Sequence, residues 1–130
     1  MSTRYQIFIK ECGEPVATMY RHYDGYPTGM GHELVQMLTK CETAQELTVM
    51  LLTAWNFQVE LEPINAKHGD TEYEYTVEFN NGWGGSGGAP TLTVRDLWEN
   101  ENLTIECSSK MAPYYAAGLL EDLQRKHCNE

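Results

Sequence analysis

The sequence predicts an α+β fold: an antiparallel sheet of about four or five strands with helices packed on one face. Two observations carry this expectation. Segments of strict two-residue alternation lie towards both ends of the chain, and two segments with helical spacing lie between them. That order fits an α+β layer better than alternating parallel units. The length of 130 residues suits one domain, residues 1–130, and a hydrophobic content of 42% is enough for a core.

In "YQIFIKE", Tyr5, Ile7 and Ile9 alternate with Gln6, Phe8 and Lys10, which reads as a strand over residues 5–11. "CGEP" supplies a turn at Gly13 and Pro15. "VATMYRHYD" is the returning strand, residues 16–24, and Gly25, Pro27, Gly29 and Gly31 end it. A helix is expected from Met30–His32 to about Cys41, burying Leu34, Met37, Leu38 and Cys41. Thr43 followed by Glu46 is a capping-box pattern. A second helix should therefore cover residues 44–57, with Leu47, Met50, Leu51, Ala54 and Trp55 as its apolar stripe.

"VELEPIN" reads as a short strand limited by Pro63. "TEYEYTVEF" is the clearest strand of all. Tyr73, Tyr75, Val77 and Phe79 share one face, and Glu72, Glu74 and Glu78 share the other, which is expected to be solvated. "NNGWGGSGGAP" is a glycine-rich connection with Trp83 at its centre, and it lacks the Lys of a phosphate-binding loop. "TLTVRDLW" and "LTIECSS" read as the last strands. "APYYAAGLLEDLQRKHC" reads as a terminal helix packing Ala116, Leu119, Leu120 and Leu123.

Bulk properties narrow the function classes. A formal charge of −10 argues against a general nucleic-acid binder, whose affinity rests on Lys and Arg meeting phosphates. No apolar run approaches the roughly 20 residues of a membrane span, and the opening residues lack a signal-peptide pattern. The expectation is a cytoplasmic protein that does not bind membranes. Cys12, Cys41, Cys107 and Cys128 show no metal-knuckle spacing and are expected to be reduced thiols. No cofactor motif is present.

The densest chemistry lies in "MYRHYDGYPTGMGHEL", residues 19–34. Strand alternation sends Tyr20, His22 and Asp24 to one face and Met19, Arg21 and Tyr23 to the other. The glycine turn and the following helix start were expected to offer free backbone donors to an anion. Arg21, with Arg4 across the hairpin, would add charge, and Tyr20, Tyr23 and Tyr26 could stack on a base. The candidate ligand-binding set is Tyr20, Arg21, His22, Asp24, Tyr26, His32 and Trp83. His22, Asp24 and His32 also hold enough donors for a metal-assisted hydrolase, although H-x-D and H-E without a second spaced His are weak metal signals. Against both stands a structural reading, in which Asp24-Gly25 and Tyr26-Pro27 build a turn on an acidic docking module.

"MSTR" followed by "YRHYDGYPTGMG" resembles small proteins common in bacteriophage and mobile-element genomes, whose pattern is Y-x-H-[WY]-D-G-Y-P-x-G-x-G. Tyr20, His22, Tyr23, Asp24, Gly25, Tyr26, Pro27, Gly29 and Gly31 occupy that pattern, over about the first third of the chain. The resemblance implies a phage or mobile-element accessory protein in a bacterial cytoplasm and carries no catalytic role. The function expected is therefore non-enzymatic binding of a small anionic, nucleotide-like ligand or of a host protein. No catalytic or metal-binding residues are assigned.

Overall fold

Cys12 and Gly13 take positive φ values of 51° and 83°, which folds strand β1 (Tyr5–Glu11) back onto β2 (Glu14–Arg21). The pair is antiparallel, with Tyr5 opposite Arg21 and Ile7 opposite Met19. The computed structural model describes residues 3–23, 25–54, 59–80, 88–107 and 112–128. After β2, a π-helical turn at Pro27–Gly31 leads directly into α1 (His32–Leu38). The predicted helix start lies within this turn, and Cys41 is buried three residues past the end of α1.

Helix α2 (Ala44–Thr53) begins where the capping box predicted. The Thr43 hydroxyl accepts the Glu46 N–H at 3.2 Å, and the Glu46 carboxylate accepts the Glu42 N–H at 3.3 Å. Trp55 lies outside the described residues. The chain continues through β3 (Glu60–Glu62), β4 (Tyr73–Asn80), β5 (Gly88–Asp96), β6 (Glu101–Glu106) and α3 (Ala112–Cys128).

The sheet has six strands in the order β3-β2-β1-β4-β5-β6, and it is mixed. This corrects the expected antiparallel sheet of four or five strands. The parallel pair is central: β1 runs beside β4, with Tyr5 opposite Tyr73 and Ile9 opposite Val77. The cause is the path of the chain after β3. Because β3 is antiparallel to β2, it points the same way as β4. Residues 63–72 must therefore return along the sheet before β4 can start.

One face of the sheet holds the core. Tyr5, Ile7, Ile9, Met19, Tyr75, Val77, Leu92 and Ile105 pack there against Leu34, Val35, Leu47, Leu51, Ala116 and Leu120 of the helices, all buried. Burial of this apolar surface is the main stabilising term, on the order of 1.5–3 kcal/mol for each large side chain. Leu119, expected in this core, is 42% exposed. It sits at the edge of the stripe formed by Ala112, Ala116, Leu120 and Leu123, which bury instead.

The return segment 63–72 crosses the opposite face of the sheet and buries a polar row. The Gln6 amide clamps it from both ends, donating to the Ala66 carbonyl at 2.8 Å and accepting the His68 N–H at 3.2 Å. The Thr18 hydroxyl accepts the Asn65 N–H at 3.0 Å. The Lys67 ammonium lies 3.0 Å from the Glu74 carboxylate and 4.5 Å from the Phe8 ring centroid. Glu74, expected on a solvated face, is 9% exposed under this segment, and Arg95 approaches its other oxygen at 3.7 Å. Among the described residues no helix is long and apolar enough to cross a membrane.

Candidate functional site

Residues 3–4 meet residues 20–23 and Gly25 at one corner of the sheet. Gly25 N–H donates to the Thr3 carbonyl at 3.1 Å, and the Arg4 carbonyl accepts Glu72 N–H at 2.9 Å. These bonds seat Arg4, at the entry to β1, beside the end of β2 and the end of the return segment. The Arg4 Nε lies 3.0 Å from His22 Nε2 and 3.3 Å from Asp70 Oδ2.

An arginine offers only donors, so the His22 ring accepts; its Nε2 is the nearer nitrogen, and its Nδ1 lies 3.4 Å from the same Arg4 Nε. His22 Nδ1 lies 3.3 Å from the Tyr20 hydroxyl, which donates to Asp70 Oδ2 at 3.4 Å. The order is thus Arg4 to His22 to Tyr20 to Asp70, with Asp70 closing the ring back on Arg4. Burial, and then the neighbouring Asp70 carboxylate, push the Tyr20 phenol above its ordinary pKa, which keeps it a donor.

A second pair braces this ring from behind. The Tyr20 ring stacks on His68, with centroids 4.0 Å apart and planes 18° from parallel. His68 Nε2 meets Glu62 Oε2 at 2.5 Å, and His68 Nδ1 faces Asp70 at 4.0 Å. Both ring nitrogens of His68 therefore face carboxylates, and neither is presented to an incoming group. Two groups do point outward. The Nη1 and Nη2 atoms of Arg4 make no hydrogen bond or ion pair among the described residues, and the side chain is 36% exposed. The Tyr23 ring is 56% exposed and stands edge-on to His22, with centroids 5.2 Å apart.

The sequence-predicted set divides. Tyr20 and His22 come together at this corner. Arg21 lies opposite Tyr5, on the strand face turned towards the helices, and is half-buried. Tyr26 is half-buried, and its carbonyl accepts the Gly29 and Met30 N–H groups at 2.9 and 2.8 Å. His32 belongs to α1, in the helix layer. Asp24 and Trp83 lie outside the described residues.

The expected free backbone donors at "GYPTGMG" are engaged. Besides Gly29 and Met30, the Thr28 N–H donates to the Gln124 side chain at 3.0 Å, and the Thr28 hydroxyl donates to the same oxygen at 2.7 Å. The glycines there serve packing. A Cβ on Gly25 would lie 2.6 Å from Tyr5 Cδ1, and one on Gly31 would lie 2.9 Å from Leu120 Cδ2. Tyr75, buried among Tyr5 and Tyr73, donates its hydroxyl to the Gly25 carbonyl.

Of the hydrolase set, His22 follows the end of β2, His32 opens α1, and Asp24 lies outside the described residues. Among the described residues no group of three or more His, Cys, Asp and Glu side chains is placed to hold a metal. Sequence reasoning missed Glu62, at the end of β3, and His68 and Asp70, from the return segment, which arrive some 40–50 positions after His22. The available signal was "NAKHGD", a polar run with His and Asp between two strands. Compared with family models, characterised proteins and solved structures, the chain shows no match.

Proposed function

We propose that the chain is a binding protein, an accessory protein of phage or mobile-element type, which engages an anionic group at the Arg4–His22–Tyr23 corner. The observation that carries the reading is Arg4. Its Nε is held by His22 and Asp70, which fixes the guanidinium plane, while among the described residues neither outer nitrogen has a hydrogen-bond or ion-pair partner. A fork held in this way meets a carboxylate or phosphate with little ordering cost. The exposed Tyr23 ring beside it adds an apolar contact surface, and Tyr and Arg are the residue types that anchor interfaces. The anionic group belongs to a nucleotide-like ligand or to an acidic side chain of a host protein.

The test follows the Arg4 Nε–H and His22 ring resonances by NMR as ribonucleotides, and separately bacterial host cytosol, are added. Shifts with nucleotides that vanish in Arg4→Gln support a small ligand. Shifts with cytosol alone, again lost in Arg4→Gln, support a protein partner. Resonances unmoved by either addition overturn the proposal and leave the corner as a clamp for the return segment.

A further inference from the structure

Helices α1 and α3 pack together and leave a groove of about 460 Å³. We infer that this groove is a second binding site, for a small organic anion carrying a flat ring, of the aryl or nucleoside phosphate class. The inference does not rest on the Arg4 corner, with which the groove shares no residue.

The wall from α1 is a stripe of polar side chains. His32, Gln36 and Lys40 recur every four residues, which places them on one side of the helix and its last turn, over a span of about 12 Å. None of these three side chains makes a hydrogen bond or ion pair with another described residue. The α3 side is lined by Pro113, Ala117 and Tyr114, the last 75% exposed.

The charge balance selects the ligand. The chain carries 19 acidic against 9 basic residues, yet among the described residues no carboxylate lines this groove and a lysine does. Arg125, by contrast, pairs with Glu121 and Asp122, and Lys67 with Glu74. Among the described residues Lys40 has no ion-pair partner, and its ammonium is open to a phosphate or carboxylate. Gln36 and His32 offer hydrogen bonds further along, and Tyr114 offers a π-face for a ring. The mixture of apolar side chains with a few polar groups is that of a small-molecule site. A free inorganic anion would use only Lys40, and an uncharged ring only Tyr114. A molecule with both uses the whole groove.

The experiment titrates the full chain with each of the four ribonucleoside monophosphates, with adenosine and with inorganic phosphate, by calorimetry. At least one monophosphate should bind saturably and about tenfold more tightly than adenosine or phosphate alone. Lys40→Gln and Tyr114→Ala, both at exposed side chains, should each weaken it about five- to tenfold without lowering the ligand-free melting temperature. Arg4→Gln should leave it unchanged. Absence of saturable binding at millimolar monophosphate overturns the inference, as does binding that survives both groove variants. Binding lost in Arg4→Gln and retained in Lys40→Gln also overturns it, and assigns the anion to the corner.

Discussion

Three glycines of one short motif, mutated singly to alanine, should give three different results. A Cβ on Gly25 would sit 2.6 Å from Tyr5 Cδ1 and 2.7 Å from the Thr3 carbonyl oxygen. Ordinary carbon contacts begin at about 3.5 Å, so the overlap is close to 1 Å on two sides. Tyr5 is fully buried and cannot swing away. Moving the Thr3 carbonyl breaks its own bond with the Gly25 N–H. Overpacking costs about 1–3 kcal/mol and the lost hydrogen bond about 0.5–1.5, so Gly25→Ala should destabilise by about 2–4 kcal/mol.

Gly29 has nothing within 4 Å of the same built atom and lies in helical conformation. Gly29→Ala should gain about 0.5–1 kcal/mol by restricting the unfolded chain. Gly31→Ala meets only the flexible end of Leu120 at 2.9 Å and should fall between the two. In urea, with m near 2 kcal/mol/M, the midpoint should drop by about 1–2 M for Gly25→Ala and rise by a few tenths for Gly29→Ala. A loss in Gly29→Ala as large as in Gly25→Ala, or no loss in Gly25→Ala, would refute the assignment of these glycines to close packing.

The buried Tyr75 hydroxyl and the Cys107 thiol make stability sensitive to alkali. Burial raises Tyr75 well above its ordinary value and pushes Cys107 up to about 11. Both acids are harder to ionise in the folded state, so their contribution is intact below the unfolded values, about 9 for Cys and 10 for Tyr. It is lost as pH rises towards the folded ones. Urea midpoints should therefore fall from pH 9 to 11. Tyr75→Phe should be about 1–3 kcal/mol less stable at pH 7, because the Gly25 carbonyl loses its donor, but should fall less steeply with alkali. A flat or rising profile for the wild type would contradict this. Alkylation of the native protein should modify the exposed Cys12 and spare Cys41 and Cys107, which react only after unfolding. Protection of Cys41 or Cys107 in the unfolded, unreduced chain would show a disulfide instead of the free thiols described.

What the sequence determined by itself is whatever depends on neighbours a few positions away. The alternation in residues 73–79 sends Tyr73, Tyr75, Val77 and Phe79 inward whatever strand lies alongside, and all four are buried. The Thr43–Glu46 box places the start of α2 because its hydrogen bonds close within one helical turn. Tertiary structure decided everything that depends on the path of the chain. Alternation is the same in parallel and antiparallel strands, so the β1–β4 pairing could not be read from either strand. Nor could the polarity of Gln6, Thr18 and Glu74 reveal that residues 63–72 would cover them, since their partners come from 7 to 62 positions away. The segment 19–34 looked like one site because its residues are adjacent in sequence. Strand alternation and the step from sheet to helix layer separate His22, Arg21 and His32, while Arg4, at the entry to β1, meets His22, and His68 and Asp70, from the return segment, gather around Tyr20.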